Sequence, residues 1–472
     1  MSNNTERIIN HADGLALKEG LEQIATAITA MSAKQDGSSE ITSFKDIQTI
    51  VRNGLANKFF SVGDQIVVEK ATAINATSSS SGLSVSVNEE VFLAKVGHAG
   101  TKDFEFVFDG VSWLLRTEPV VLSEYGISVT GTPHADDVIN VIETASHIVM
   151  DVLGIDCERP VDTTRTHSLT LGMHYTFTGV QFSNSQALFA FPNGLVAGSY
   201  SFTIGNYDVA YGGNATYYFT ITQAIPAGGQ IVFAWRYNTQ ASTCKISTFA
   251  SPTATTAIES NISVSTTAIS GATNLGTCDN GTLVETGDIH INNIERARYG
   301  SNNYAKSAFR QWANSDKAKG AVWTSQSEFD RPPSWATTLD GFLHGLDPEL
   351  VKCLGKVKKT TVLNNVCDGG GSVETEETCF AISLGELGVN GYSVEGAQYP
   401  YFKNLLGGTI ADWSTHKELI KTNPSGAPQY WWLRSPNTGN ADFTRDVGTG
   451  GYVSGNGGAY NSYQVVLAFA II

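Results

Sequence analysis

The sequence is poor in charge, and basic residues are the scarcer kind. Only 16% of its 472 residues are charged, and 30 Lys and Arg against 45 Asp and Glu leave a formal net charge of −15. A surface of this sign repels nucleic-acid phosphates and anionic membrane surfaces. We therefore expect neither a nucleic-acid partner nor binding to an anionic membrane surface.

Cysteine motifs, export signals and long apolar runs are also missing. The six cysteines, at positions 157, 244, 278, 353, 367 and 379, form no CxxC pair. Zinc and dithiol sites are therefore not indicated, and buried free thiols are expected. The start, MSNNTERIIN, lacks the apolar core of a signal peptide, and no apolar run is long enough to cross a membrane. We expect no signal peptide and no membrane insertion.

No pattern of catalytic or metal-binding residues stands out. Glu374, Glu376 and Glu377 could suggest the acid–base chemistry of a glycosidase. They lie in the glycine-rich segment DGGGSVETEET, which we expect to be an exposed loop with solvated carboxylates. No HExxH motif or His–Cys pairing occurs. The sequence thus predicts no catalytic residue, no metal and no cofactor.

Two helical patterns open the chain. The first covers residues 15–33 with a/d spacing, which suits either a short oligomerisation stalk or a docked amphipathic helix. The second covers 44–57, where Ser43 and Asp46 could cap the helix start. The apolar residues of the first pattern are Leu17, Leu21, Ile24, Ile28 and Met31.

Period-two runs dominate residues 168–283, and helical and strand patterns alternate on either side. Runs such as GSYSFTIG and GQIVFAWRY predict an antiparallel, Ig-like sandwich. After it, residues 302–316 predict a helix with Tyr304, Ala305, Ala308, Phe309 and Trp312 inward. The expected fold class is α+β, with an N-terminal helix and linker (1–40), the first part of the scaffold (41–167), an inserted sandwich (168–283) and a C-terminal domain (284–472).

The C-terminal domain ends in a contrast between rigid and permissive sequence. The stretch GTGGYVSGNGGAYNSY separates two apolar blocks, QYWWLR and QVVLAFAII. The blocks predict buried neighbouring strands that hold the stretch between them, and Arg434 is expected to pair with a carboxylate. Tyr, Ser, Gly and Asn are also the residues of antibody paratopes, where they combine contact area with adaptable hydrogen bonding.

We therefore predict that residues 437–463 form a ligand-binding face rather than an idle surface loop. The glycines do not form a phosphate-binding loop, because the trailing Lys-Ser/Thr and the strand–helix context are absent. The candidate contact residues are Asn437, Thr438, Asn440, Asp442, Thr444, Asp446, Thr449, Tyr452, Ser454, Asn456, Tyr460, Asn461, Ser462 and Tyr463.

Several segments together resemble one protein group. They are RARYGSNNYAKSAFRQW (296–312), FDRPPSW (329–335), SVEGAQYPYF (393–402) and QYWWLRSP (429–436). In this order they resemble bacteriophage proteins of C-type-lectin-like fold, some of which are the variable proteins of diversity-generating retroelements. The resemblance implies a C-type-lectin-like domain over 284–472, with its variable region at 437–463.

In that group a reverse transcriptase miscopies template adenines, so that asparagine codons scatter to other residues but cannot reach Lys, Glu, Gln, Met or Trp. Residues 437–463 contain none of these five types. Calcium-dependent sugar binding is not indicated, because Ser435-Pro436-Asn437 lacks the carboxylate of the calcium loop and ADW (411–413) has the wrong order.

The resemblance implies a non-enzymatic virion protein, for example of a tail fibre, that adsorbs the phage to its host. Its expected partners are a bacterial surface glycan or protein, other virion proteins and further copies of itself, with a trimer favoured. The protein would be made in the host cytoplasm and reside in the virion. One alternative is a structural head or tail component whose lectin-like domain joins subunits. A depolymerase with paired carboxylates between the β module and the lectin domain is the other.

Overall fold

The computed structural model describes residues 41, 43–96 and 102–184, then short separate stretches between 189 and 296. From residue 300 to 472 it describes all but 327–329 and 331. The helix predicted at 15–33 lies outside the described residues. The described chain is rich in β-sheet and has a few short helices, so its fold class is a β-rich α+β.

The helices are short and are dispersed along the chain. Their bounds are α1 Phe44–Arg52, α2 Ala56–Phe59, α3 Glu89–Val96, α4 Ala308–Ala313, α5 Pro348–Cys353, α6 Leu384–Leu387 and α7 Pro400–Leu406, with 3-10 turns at Leu122–Tyr125, Tyr304–Lys306, Ser393–Glu395 and Lys417–Leu419.

The strands make up most of the ordered backbone. They are β1 Gln65–Ser78, β2 Ser84–Val87, β3 Lys102–Phe108, β4 Trp113–Leu115, β5 Glu118–Val120, β6 Ile127–Thr130, β7 Val138–Ile155, β8 Leu169–Met173, β9 Gly179–Gln181, β10 Phe189–Phe191, β11 Gly198–Gly205, β12 Ala215–Ile221, β13 Gly229–Arg236, β14 Thr239–Thr248, β15 Thr256–Ala257, β16 Ile262–Ser265, β17 Thr273–Asn274, β18 Thr277–Asp279, β19 Thr282–Val284, β20 Ile289–His290, β21 Leu354–Gly355, β22 Val357–Val362, β23 Ser372–Glu377, β24 Cys379–Ala381, β25 Lys421–Thr422, β26 Pro428–Gln429, β27 Trp431–Pro436, β28 Phe443–Val447, β29 Val453–Gly458, β30 Ser462–Gln464 and β31 Leu467–Ile471.

One nine-stranded sheet joins the two ends of the described chain. Its longest strand, β7, pairs with β1 along one edge and with β3 and then β8 along the other. The last strand, β31, pairs with β8 and with both β21 and β24. All of Leu467–Ile471 is buried, so the C-terminal strand lies in the core of the scaffold.

A second, five-stranded sheet carries the C-terminal segment of interest. Its order is β29-β28-β27-β30-β9. Strands β27 and β30 run parallel with Trp431 opposite Gln464, as expected for neighbouring anchor strands. The outermost strand, β9, comes from the first half of the chain and pairs antiparallel with β30.

The boundary predicted at residue 168 divides the scaffold. Strands β8 and β9 fall inside the predicted insertion 168–283, yet they pair with β31 and β30. The two strands thus belong to the scaffold sheets, which extend to β9. Beyond it, the described strands form a four-stranded sheet, β10-β13-β14-β15, and a five-stranded sheet around β11 and β12.

Local signals shorten two predicted helices. Ser43 caps α1 by accepting from Asp46 N, as predicted, and Ile47 and Val51 are buried. Gly54 has φ +66°, which turns the chain before α2 and divides the helix predicted over 44–57. At 302–316 a 3-10 turn precedes α4. Of the predicted inward residues, Ala305 in that turn is only partly buried, and the others are buried, namely Tyr304, Ala308, Phe309 and Trp312.

The segment predicted as an exposed glutamate loop is a strand instead. Residues 372–377 form β23, which pairs antiparallel with β22. Glu374 makes surface ion pairs with Arg159 and Lys358. Glu377 is fully buried and bonds Arg310 and Asn314. The prediction of solvated carboxylates is therefore wrong for Glu377, because the fold supplies a cation and an amide from α4 and the residue after it.

Candidate ligand-binding face

The segment between the two apolar blocks is a β-hairpin rather than a loop. Strands β28 and β29 pair with each other, and β28 also pairs with β27. Every residue of Trp431–Pro436 is buried. The two indole nitrogens donate to backbone carbonyls, Trp431 Nε1 to Leu419 O and Trp432 Nε1 to Val180 O. The anchor strand is thus held by directed bonds as well as by burial.

Arg434 completes this anchor with a buried ion pair. It is fully buried, its Nη1 pairs with Glu386, and its guanidinium donates to Ala381 O and Glu395 O at 2.8 and 2.7 Å. Burial alone would raise the pKa of Glu386, but Arg434 and Lys359 outweigh it and hold that pKa at about 2. The predicted carboxylate partner and structural role of Arg434 are confirmed.

A single buried amide holds the turn between β27 and β28. Asn302 Nδ2 donates to the carbonyl oxygens of Asn437, Asn440 and Phe443 at 3.1, 2.8 and 2.8 Å. Its Oδ1 accepts from Asn364 Nδ2. Because these contacts reach only backbone atoms of the turn, they do not depend on which side chains the turn carries.

Ser454 is the extra residue of a β-bulge, since Asp446 pairs with Gly455 and Val447 with Val453. The structure divides the other predicted contact residues into three groups by their exposure. Thr449, Tyr452, Asn456, Tyr460 and Ser462 are exposed, and Asn437, Thr438, Asn440, Asn461 and Tyr463 are partly buried. Asp442, Thr444 and Asp446 are buried, at 1%, 0% and 3% exposure.

Those three buried residues are not on the outer face that the sequence predicts. Asp446 lies opposite Trp432 and Gly455 in the sheet, and a Cβ atom at Gly455 would overlap its carboxylate. Burial raises the pKa of Asp446 to about 7, although the N–H of Gly457 donates to it. The glycines of β29 thus make room for groups beneath the surface. Asn440 is also partly structural, because its Oδ1 accepts from the N–H groups of Asp442 and Phe443.

The first exposed aromatic cluster is the tyrosine patch, Tyr430, Tyr460 and Tyr463. The rings of Tyr430 and Tyr463 stack at 5.1 Å, and Tyr463 packs at 4.5 Å on the buried ring of Trp432. Tyr460 is 43% exposed, and Gln181 from β9 donates to its carbonyl oxygen. The patch thus rests on the buried ring of Trp432 and on a hydrogen bond from β9.

The second cluster is the tryptophan patch, Trp413, Tyr452, Arg445 and Asn456. The Trp413 and Tyr452 rings lie 6.3 Å apart and are inclined by 47°. The guanidinium carbon of Arg445 lies 4.3 Å from the Trp413 ring centroid, and Arg445 Nη1 donates to Asn456 Oδ1 at 2.8 Å. Asn437 Nδ2 donates to the same oxygen.

Sequence reasoning missed Trp413, Tyr430 and Arg445 as members of the face. Trp413 lies outside the predicted variable segment, and Tyr430 was counted with the buried anchor although it is 46% exposed. Arg445 lies within the segment, but its role becomes visible only through its contact with Trp413. One signal was available for Tyr430, which opens the apolar block at the point where the strand meets solvent.

In the part of the chain that the structure describes, no group of three or more His, Cys, Asp or Glu residues could hold a metal ion. No helix in that part is long and apolar enough to cross a bilayer. Four described cysteines are free, of which Cys353, Cys367 and Cys379 are buried and Cys157 is exposed.

Comparison with known proteins reaches only the C-terminal part. Residues 279–471 match a family described as a domain of unknown function (DUF6273). No curated protein and no solved structure matches the chain. The matched segment contains α4, strands β27 to β31 and both aromatic patches, so the candidate face lies in the part of the chain that is similar to this family.

Proposed function

We propose that this chain is a non-enzymatic bacteriophage virion protein whose C-terminal domain, of C-type-lectin-like type, binds a ligand on the bacterial surface. The observation that carries the proposal is the pair of aromatic patches held against the sheet whose anchor strand, β27, is fully buried. Contiguous exposed aromatic groups with polar neighbours are typical of recognition surfaces.

The supports of this face make its outer side chains replaceable. Asn302 and Arg434 hold the turn and the anchor strand through backbone atoms and buried charges. Surface substitutions away from such features change stability by only about 0.5 kcal/mol. A face built in this way suits a protein whose ligand changes, as the resemblance to retroelement targets implies.

The remaining segments would serve attachment and valency. The β-rich segment between the scaffold halves would act as a spacer or attachment module, and residues 1–40 would trimerise or dock the protein. Several weak sites on one particle gain avidity without new contacts. Partners would then be other virion proteins, further copies of this chain, and a surface glycan or protein of the host.

Adsorption of particles carrying surface variants tests the proposal. The variant replaces Thr449, Tyr452, Asn456, Tyr460 and Ser462 by alanine and leaves the buried residues of the hairpin unchanged. The control variant replaces the exposed Val111 and Val121 by alanine. We expect assembled variant particles to lose adsorption to their bacterial strain, while the control particles adsorb normally.

Two outcomes contradict the proposal. Normal adsorption of particles that carry the fivefold variant would show that the face does not take part in host binding. Failure of the particles to assemble, with a virion reconstruction showing both patches buried against a neighbouring subunit, would favour the structural head or tail component instead.

Diversification has its own test in the flanking DNA. A near-copy of the coding segment for 437–463 beside a reverse-transcriptase gene, differing only at adenines, is the expected finding. Asn440 supports the backbone of its turn, so we expect its codon to vary less than those of Asn456 and Asn461.

A further inference from the structure

Trp413 has a backbone conformation that bulky residues rarely adopt. Its φ is +60°, in the left-handed region, and its side chain is 44% exposed. For a bulky residue this conformation is strained and persists only where neighbours impose it. Such strain around an exposed aromatic ring points to a role for the ring outside the core.

The neighbours that impose this conformation come from the hairpin of the candidate face. Val453 N donates to Ser414 O at 2.8 Å, and His416 N donates to Gly451 O at 2.9 Å. Asp412 Oδ1 accepts from Trp413 N. The chain around Trp413 is thus bonded to the turn between β28 and β29, and the ring is presented beside Tyr452.

The Trp413 ring has both a charged and an aromatic neighbour, and the aromatic neighbour is inclined to it. Arg445 lies over the Trp413 ring, and Tyr452 forms a second wall at 47° to it. Polar groups lie next to these rings. Arg445 Nη1 donates to Asn456 Oδ1, and Arg445 Nη2 lies 3.5 Å from the hydroxyl of Tyr392. That hydroxyl in turn donates to Asp412.

We propose that the tryptophan patch is a saccharide-binding site that takes the apolar face of one hexopyranose ring on Trp413 and Tyr452. This inference rests on the proposed function, because it names the ligand class of the same face. The axial C–H bonds of a pyranose form an apolar face that fits a flat aromatic ring. The adjoining hydroxyl groups would bond the amide of Asn456 and the polar groups beside Arg445.

The chemistry of the patch favours a sugar over a peptide ligand. A peptide anchor requires a desolvated apolar pocket that encloses a side chain. The tryptophan patch instead offers two exposed aromatic rings, with the buried guanidinium of Arg445 over one face of Trp413 and an amide and a phenol beside it. Each hydroxyl group of a sugar can donate and accept a hydrogen bond, so neighbouring sugar hydroxyls can bond a set that contains both donors and acceptors.

The full-length protein would be tested on an array of immobilised bacterial oligosaccharides. Trp413→Gly removes the ring and also relieves the left-handed strain, Trp413→Tyr keeps an aromatic face, and Tyr452→Ala removes the second wall. Leu405→Ala in α7 is the matched control, since Leu405 is exposed to almost the same extent as Tyr452 and belongs to neither aromatic patch. Circular dichroism of each variant checks that the fold is retained.

We expect retention of at least one array oligosaccharide. Trp413→Gly and Tyr452→Ala should each weaken it by about tenfold or more, as removal of a central aromatic contact does. Trp413→Tyr should retain most of the binding and Leu405→Ala all of it.

Binding that survives Trp413→Gly, or an array on which no oligosaccharide is retained, overturns the saccharide site. The proposed function is judged separately by binding of the same protein to whole bacteria. Whole-cell binding without any array signal would leave host recognition in place and reject only the sugar. Absence of both would reject host recognition as well.

Discussion

The side-chain nitrogen of Asn302 lies 2.8 Å from the carbonyl oxygen of Asn440, a residue 138 positions later in the chain. The same nitrogen reaches the carbonyls of Asn437 and Phe443. One buried amide outside the hairpin therefore determines the path of the turn that leads into the candidate face.

Replacing Asn302 by alanine should loosen this turn specifically. Three partly buried carbonyls lose their common donor and Asn364 loses an acceptor, so we expect a loss of about 3 kcal/mol in unfolding free energy. Denaturant unfolding measures that loss, and hydrogen exchange should be faster over 437–443. Thr438→Ala is the control, because Thr438 bonds Asn365 through its carbonyl oxygen. Equal stability of the Asn302 variant and the native protein would contradict this account of the turn.

Gly457 should not tolerate a side chain. A Cβ atom there would lie 2.6 Å from both Trp432 and Tyr463, whose rings pack on each other. Overpacking of this kind costs about 1–3 kcal/mol. We expect Gly457→Ala to lower the melting temperature and to displace Tyr463, with a change in the near-UV circular dichroism.

Gly450 provides the matched comparison, since a Cβ atom there meets no atom within 4 Å. Gly450→Ala should leave the melting temperature and the aromatic signal almost unchanged. If both glycine variants behave alike, close packing under the face is not what selects glycine at position 457.

The sequence predicted the apolar anchors well because their burial follows from composition. Trp431, Trp432 and Leu433, like the C-terminal block, are fully buried as expected. Strands β28 and β29 were not predicted, because TRDV and SGNGG carry few of the apolar residues that mark a strand. Their pairing depends on long-range partners and on glycines that make room for Asp446.

The sequence predicted where the candidate site lies in the chain but not which residues form it. Tyr452 and Tyr460 are exposed, whereas Thr444 and Asp446 face inward because side chains alternate along β28. Trp413 could not have been identified from the sequence, because its contact with Arg445 depends on the left-handed backbone conformation of Trp413 itself. The first limit of the β insertion, residue 168, was wrong for a similar reason, because β8 and β9 pair with β31 and β30, nearly 300 positions later.

Glu395 should make the protein less stable as the pH rises. Burial raises the pKa of this carboxyl from 4.5 to about 7, against the opposing effects of Arg434 and of hydrogen bonds from Ser435 and Val362. The native state therefore binds the proton more tightly than the unfolded state does. Its contribution to stability is complete below pH 4.5 and is lost as the pH rises to 7.

Glu395→Gln should remove this contribution. Relative to the native protein, we expect the unfolding free energy of the variant to rise between pH 4.5 and 7, by at most about 1.4 kcal/mol per pH unit. Urea unfolding at pH 5, 6, 7 and 8 measures the difference. Val394→Ala is the control, because Val394 is exposed beside Glu395 and carries no titrating group, so its curve should run parallel to that of the native protein. Parallel curves for Glu395→Gln would show that its titration is not coupled to folding.

Arg434 should be far more important for stability than an exposed arginine with a similar partner. Arg434→Met leaves Glu386 with one cation and removes the donors to Ala381 O and Glu395 O. Breaking a buried pair in this way costs about 3–5 kcal/mol. Arg159→Met, which breaks the exposed pair with Glu374, should cost less than about 1 kcal/mol.

The double variant separates the charge from the packing. Glu386→Gln removes the carboxylate charge that has lost one of its two cations, while its amide oxygen can still accept from Ser383 N at the start of α6. Arg434→Met with Glu386→Gln should therefore be more stable than Arg434→Met alone, by thermal unfolding at pH 7. A double variant that is less stable than the single one would mean that Arg434 acts through its packing and backbone bonds. The buried pair would then not be the source of the rigidity on which the candidate face depends.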